Sequence, residues 1–341
     1  MTRKVIGGIP PFRFGEGREC SFPASLAAAT KTEYEWILGC SGAAFDTRID
    51  EATWDPLVAT PRDAATLTRA AAAAGVRLDI VSPPFDDEMR ELVLARVKEQ
   101  IDAGTPPLAR GLVGPSEYGL IVGYELARAD RGGLPTRTHE RRSTSAATYD
   151  DNGPTFLART YFDRGAEPTR LGWDAFVDDE HGTPVFLDPA GSVDRARTAL
   201  AGLDAGIAAA GTTEDALRAW AAGLRDDARW SDARHAGQAA FADHTMRTIL
   251  ADKRRAAARF LRSLRAEFPT RPGSDLLRAA ESYGYVVDAA TKSGIGPFDA
   301  SVAMRFADPG HRRGWANALE GAIGHEREAQ SALRAARAAL D

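Results

Sequence analysis

The chain has 341 residues, 44% apolar and 27% charged, with a net charge of −5 at pH 7. At about 150 residues per domain that length suffices for two cores, and the charge fraction argues against disordered or fibrous architectures. The acidic balance disfavours nucleic acid as a partner, and two cysteines, Cys20 and Cys40, cannot build a disulfide framework or a four-cysteine zinc site.

Residues 1–10 lack the apolar core of a signal peptide, and no window approaches the roughly 18 to 20 apolar residues of a membrane span. A cytoplasmic protein with reduced thiols is therefore expected. A glycine-rich loop, Gly15 to Glu19, leads to Cys20, and Ser21 and Pro23 suit the start of a helix running through Ala29. A second helix is predicted over 33–38, stopping at Gly39. Residues 60–63 open a third, which ends at Gly75 before a short strand over 76–81. Residues 86–101 read as an amphipathic helix with Met89, Leu92, Val93, Val97 and Ile101 on one side. Pro106 and Pro107 deliver the chain into 108–113. The apolar runs 120–124, 155–161 and 183–187 read as buried strands, and the charged stretch 128–142 as an exposed connection. Helices first and strands later predict an α+β domain over 1–190 and not a doubly wound sheet.

Beyond Ala190 the composition shifts to Ala, Arg, Leu and Glu, predicting a helical domain over 191–341. Thr213-Glu214-Asp215 reads as a helix start leading into Leu217, Trp220, Ala221 and Leu224. The stretch 253–268 places Phe260, Leu261, Leu264 and Phe268 on one face, with Arg255, Arg259, Arg262 and Arg265 largely elsewhere. Helical periodicity continues over 276–290 and 312–340, and no fixed-period repeat is present.

Cys20 is the leading candidate for chemistry. A thiol at a helix start feels the positive end of the helix dipole, which favours the nucleophilic thiolate. The glycine-rich approach leaves room for backbone donors to an oxyanion. The alternative is a small buried thiol beside a loop. Cys40, between Gly39 and Ser41-Gly42, is expected to pack.

Cys20 opening a Ser/Ala/Leu helix is followed by Ile37-Leu38-Gly39-Cys40-Ser41-Gly42-Ala43-Ala44-Phe45. In order come a helix ending in Ala103-Gly104-Thr105-Pro106-Pro107-Leu108 and the strand Gly119-Leu120-Ile121-Val122-Gly123-Tyr124. This pattern resembles the butirosin biosynthesis protein H-like family. There a papain-like cysteine-peptidase domain precedes an all-helical region. The resemblance implies a papain-like N-terminal half and a thiol enzyme acting on an acyl group. In the butirosin case, an aminoacyl group passes from a carrier-protein thioester to an amine. Mapped onto this chain, Cys20 takes the nucleophile position. The family's general base is a histidine at the head of the strand that here begins Ser116-Glu117-Tyr118; Glu117 stands nearest that place. Three readings stay open: Glu117 as a buried base with raised pKa, a histidine from elsewhere, or a ligand-binding remnant without catalysis. The next strand offers Arg159, with Asp163 further on, where an orienting Asn or Asp is expected. An Arg159–Glu117 ion pair would weaken Glu117 as a base. The glutamine ahead of the nucleophile is also missing, with Glu16, Arg18 and Glu19 nearest.

Of six histidines, His139 and His181 lie in the N-terminal half, in charged, loop-like surroundings. None of the six shows metal-ligand spacing, so no metal and no cofactor is expected. Gly15-x-Gly17 lacks the ending of a phosphate loop. The basic run Lys253-Arg254-Arg255, continued by Arg259, Arg262 and Arg265, reads as a solvated helix face or a docking face for an acidic acyl carrier protein. The resulting expectation is a thiol-dependent acyltransferase or amide hydrolase of small-molecule metabolism. Its substrate is a small molecule or peptide, with Cys20 and Glu117 catalytic and Tyr118, Arg159 and Tyr161 lining the pocket. The competing expectation is a non-enzymatic binding protein on a degenerate peptidase scaffold; a homo-oligomer is compatible with both.

Overall fold

The computed structural model describes residues 2–113, 116–126, 154–161, 163, 165–173, 182–268, 271–292 and 298–340. The predicted connection 128–142, His139 and His181 lie outside the described residues. The architecture is α+β, with one antiparallel sheet and a helical C-terminal region. Two compact units emerge. The first comprises Met1–Phe14, Ser25–Thr32 and Val76–Ala190; the second comprises Gly15–Ala24, Glu33–Gly75 and Gly191–Asp341.

The first unit is a sheet unit. Its strands are β1 (Thr2–Val5), β2 (Val76–Ile80), β3 (Leu108–Arg110), β4 (Tyr118–Leu126), β5 (Thr155–Arg159), β6 (Thr169–Gly172) and β7 (Thr183–Pro189). The order is β2-β7-β3-β4-β5-β6, with β1 added against β4, and every described pairing is antiparallel. β4 is buried along almost its whole length, as its apolar run predicted. Helix α4 (Asp87–Asp102), capped by Asp86 accepting from the Met89 N–H at 2.8 Å, covers the sheet. Val93, Val97 and Ile101 join Ile121, Tyr124, Phe156 and Phe186 in one core. Leu92, expected on that face, is 51% exposed. It precedes Val93 by one residue and so sits about 100° around the helix from the narrow buried stripe. Strands β1 and β6 had no counterpart in the sequence reading. β1 is exposed throughout and β6 largely half-buried, so neither carries a continuous apolar run.

The second unit is helical. It contains the start of α1 (Ser21–Thr30), α2 (Tyr34–Cys40) and α3 (Ala64–Ala73). The C-terminal region adds α5 (Arg195–Ala208), α6 (Ala210–Arg225), α7 (Ala233–Glu267), α8 (Arg271–Thr291), α9 (Ala300–Ala307) and α10 (Pro309–Ala338). With 35 residues, α7 is about 52 Å long. Its core carries four tryptophans, Trp54, Trp220, Trp230 and Trp315. The Nε1 atoms of Trp220 and Trp315 both donate to the buried Asp243 carboxylate, at 2.8 and 2.9 Å. Residues 15–24 and 33–75 therefore group with the C-terminal helices, unlike the contiguous division at residue 190. The cause is local: Ala44, Asp46, Thr47 and Ala59 supply backbone and side-chain oxygens to charged groups of α7.

Two predicted helix limits shift. Thr213-Glu214-Asp215 does not start α6, which begins at Ala210; Thr213 is buried and its Oγ1 accepts from the Thr47 N–H at 3.0 Å. Gly39 does not end α2, which continues to Cys40. It is a close-approach glycine, since a Cβ there would lie 2.2 Å from the Phe260 ring. Gly39→Ala is therefore expected to lower unfolding free energy by about 1–3 kcal/mol in urea titrations, with partial recovery in Gly39→Ala/Phe260→Leu. An unchanged midpoint would show that the ring can step aside.

Candidate thiol site at the head of helix α1

The sequence-predicted site residues divide between the two units. In the sheet unit, Glu117 precedes β4, is half-buried, and its carbonyl accepts from the Gly111 N–H at 3.0 Å. Tyr118 opens β4 opposite Arg110 and is buried. Arg159 ends β5 across from Leu120. Its guanidinium is buried and engages the Asp163 carboxylate at 3.4 Å and the Ala166 carbonyl at 2.5 Å. Tyr161 is buried and stacks on Phe12, with centroids 5.7 Å apart. Cys20 belongs to the helical unit.

Cys20 sits where predicted, immediately before α1, and its carbonyl accepts the Ala24 N–H at 3.0 Å. The thiol is fully buried. Burial pushes it well above the ordinary thiol range; nearby Lys253 pulls it down, as does a hydrogen bond with Tyr34, and neither offsets the loss of solvent. The helix-start setting thus coexists with a burial that favours the neutral thiol. Cys40 is buried at the end of α2, as expected of a packing residue.

Around Cys20 the helical unit gathers four polar side chains. The Tyr34 hydroxyl accepts the Cys20 N–H at 3.3 Å and donates to Asp252 Oδ2 at 2.6 Å. The same carboxylate oxygen accepts the Glu19 N–H at 3.0 Å. Burial raises the Asp252 carboxyl, against the lowering effect of those two hydrogen bonds and of Arg255. Lys253 is buried, donating to Asp46 Oδ1 and to the Ala59 carbonyl, the latter at 3.0 Å. Glu19, also buried, accepts the N–H groups of Gly15 and Gly17 at 2.7 Å each. Both glycines have φ near +90°, a left-handed conformation that lets the loop turn its amides inward onto one carboxylate. Burial outweighs the two amides and holds the Glu19 carboxyl at about 7.

Tyr34, Asp252 and Lys253 were not singled out as site residues by sequence. The available signal was the basic run Lys253-Arg254-Arg255, which reads as a solvated face, yet Lys253, Arg254 and the preceding Asp252 are all buried. Arg254 is fully buried, pairing with Glu326 Oε1 at 2.5 Å and donating to the Ala44 carbonyl at 2.7 Å. The basic docking face is thereby reduced to half-buried Arg255 and exposed Arg259, Arg262 and Arg265, of which Arg259 pairs with Glu35 at 2.7 Å.

Among the described residues, no group of three or more His, Cys, Asp or Glu side chains could hold a metal ion. No helix among them is long and apolar enough to cross a membrane. No protein-family profile matches the chain, and no curated protein matches it.

Because the Glu19 carboxyl is raised from 4.5 to about 7, the folded chain holds that proton more tightly than the unfolded chain. Its contribution is fully present below the unfolded value of 4.5 and is lost as pH rises through about 7, a loss of about 3 kcal/mol. Urea midpoints measured from about pH 5 to pH 8 should fall in the parent and fall less steeply in Glu19→Gln. Parallel declines in the two proteins would assign the effect to other groups.

Proposed function

We propose that the chain is a cytoplasmic thiol enzyme with a papain-like N-terminal arrangement, transferring or hydrolysing the acyl group of a small-molecule or peptidyl substrate with Cys20 as nucleophile. The observation that carries this reading is Tyr34, whose hydroxyl accepts the Cys20 backbone N–H, donates to the buried Asp252 carboxylate, and also lies within hydrogen-bonding reach of the Cys20 thiol. It connects the thiol to a base without a histidine. As the thiol gives its proton to the Tyr34 oxygen, Tyr34 gives its own to Asp252 Oδ2. The raised carboxyl makes Asp252 a stronger base than an exposed aspartate, and the Lys253 ammonium favours the thiolate.

The thiolate attacks the acyl carbonyl, and the leaving group departs with the proton returned along the same path. Water or an amine then attacks the Cys20 thioester and restores the thiol. The proton acceptor in this scheme is Asp252, in the same unit as the thiol, and Glu117 carries no step. Access requires the Gly15–Glu19 loop to open, because the resting thiol has no solvent contact. An acyl carrier protein is the donor class the family resemblance suggests, with Arg259, Arg262 and Arg265 as its docking residues.

A second reading has a specific observation in its favour. The full burial of Cys20 and the upward shift of its thiol suit a structural residue in a binding protein on a degenerate peptidase scaffold. Incubation with a series of small acyl thioesters, followed by intact-protein and peptide mass spectrometry, separates the two. The enzyme reading expects an acyl adduct on Cys20 and none on Cys40. Adduct formation should disappear in Cys20→Ala and slow by about 100-fold in Tyr34→Phe and Asp252→Asn. If no adduct forms across the series, Cys20 is structural and the second reading stands; an adduct that forms at the same rate in Asp252→Asn overturns the Tyr34–Asp252 proton path.

A further inference from the structure

The sheet of the first unit ends at β2, whose outer edge has no partner strand among the described residues. This feature is independent of the reading of Cys20. The ladder with β7 determines which backbone groups lie on that edge. The Val81 N–H donates to the Pro184 carbonyl at 3.0 Å, one step beyond the register that sets Ile80 opposite Val185. Hydrogen-bonded and non-hydrogen-bonded pairs alternate in an antiparallel ladder. Arg77 and Asp79 therefore bond to β7, while Val76, Leu78 and Ile80 turn their N–H and C=O groups outward. Leu187, opposite Leu78, fits this alternation. Its N–H and carbonyl are held by the Gln100 side chain, at 3.4 and 2.9 Å, and so point away from β2.

The side chains on this edge are complementary to themselves. Val76-Arg77-Leu78-Asp79-Ile80 alternates apolar and charged residues symmetrically about Leu78, with opposite signs at the two charged places. Antiparallel pairing of two copies about Leu78 sets Val76 opposite Ile80, Leu78 opposite itself, and Arg77 opposite Asp79 on both sides. In that register the outward groups of Val76, Leu78 and Ile80 form the hydrogen-bonded pairs, about six bonds in all. Arg77 and Asp79 fall in the non-hydrogen-bonded pairs, where facing side chains approach most closely. Centring the pair on Arg77 or on Asp79 would oppose like charges instead.

The same residues are available to a partner. Arg77 is exposed and makes no ion pair among the described residues. Asp79 is exposed although it pairs with Arg96 of α4, and Ile80 is 44% exposed. Charges on an edge strand ordinarily discourage edge-to-edge pairing; here their order leaves one self-paired register attractive. We propose that β2 is a homodimer edge, at which a second copy of this chain pairs antiparallel about Leu78 and continues the sheet across a twofold axis. A five-residue ladder is small for a permanent interface, so exchange between monomer and dimer with a Kd of about 100 μM is expected.

Sedimentation velocity of the full chain from about 10 μM to about 1 mM tests the edge and should show the dimer growing with concentration. Arg77→Asp sets like charges opposite each other on both sides and should weaken the dimer by about tenfold or more. Arg77→Asp/Asp79→Arg restores opposite charges and should recover it, with melting curves checking that each variant is folded. Amide hydrogen exchange supplies a readout at the edge itself. The Leu78 and Ile80 amides should exchange more slowly at about 1 mM than at about 10 μM in the parent, and show no such difference in Arg77→Asp. A parent that stays monomeric to about 1 mM overturns the proposal, as does an undiminished dimer in Arg77→Asp or a folded double variant that fails to recover. A dimer that leaves the Leu78 amide unprotected also overturns it and places the contact elsewhere on the surface.

Discussion

Arg254 is the group on which the organisation of the helical unit depends. It sits on α7 with no solvent contact. Four of its five donors reach Glu326 of α10, the carbonyls of Ala44 and Asp46, and Thr47 Oγ1. The guanidinium also lies over the Tyr283 ring of α8, 5.4 Å from its centroid. A buried arginine gains little net stability from its carboxylate partner, but leaving either member unpaired costs about 3–5 kcal/mol. The pair therefore acts as a positional constraint. The segment 44–47, α8 and α10 must all converge on α7 at one height, or a charge is stranded.

That constraint has two neighbours immediately before it in sequence. Asp252 faces Tyr34 and Glu19; Lys253 faces Asp46 and Ala59; Arg254 faces Glu326. Successive helical residues point about 100° apart, so these three cover more than half the circumference of α7. A helix enclosed so widely by polar partners needs protein on nearly every side, which explains why residues 15–24 and 33–75 group with it. The same arrangement puts Asp252 and Lys253 beside the thiol at the head of α1. The groups proposed to activate Cys20 are thus held by the charge network that organises the core.

Apolar periodicity made most regular elements legible in the sequence. The buried strand β4, the Asp86-capped helix α4 and the run Phe260-Leu261-Leu264 on α7 each announce themselves through pattern and capping residue. The failures share a cause: partners distant in sequence decided the outcome. Gly39 reads as a stop until Phe260, more than 200 residues away, occupies the space where a side chain would sit. Thr213 reads as a helix start until Thr47 claims its hydroxyl. Lys253 and Arg254 read as a solvated stripe because isolated charges normally face water, and nothing local names Asp46 or Glu326 as their partners. Cys20 was legible as a position, since a glycine-rich loop and a helix start surround it. Its electrostatics were not, because Tyr34, Asp252 and Lys253 come from two other helices.

The thiol is consequently governed by two opposed influences. Removal from water favours the neutral thiol, while the helix start and Lys253 favour the thiolate, and in the closed arrangement burial prevails. The balance turns on solvent reaching Cys20, and the segment that leads directly to it is the Gly15–Glu19 loop. That loop is fastened by Glu19, whose carboxylate grips the amides of Gly15 and Gly17 while its own backbone N–H is tied to Asp252. Protonation of Glu19 weakens its hold on two donors at once, since a neutral carboxyl is the poorer acceptor. Loop fastening and thiol chemistry therefore meet at Asp252, which accepts from the Glu19 backbone and the Tyr34 hydroxyl through one oxygen. Displacing the Glu19 backbone on opening would remove one donor from that oxygen and raise its affinity for a proton, while admitted water would relieve the burial that raises it most, so opening exchanges base strength for access.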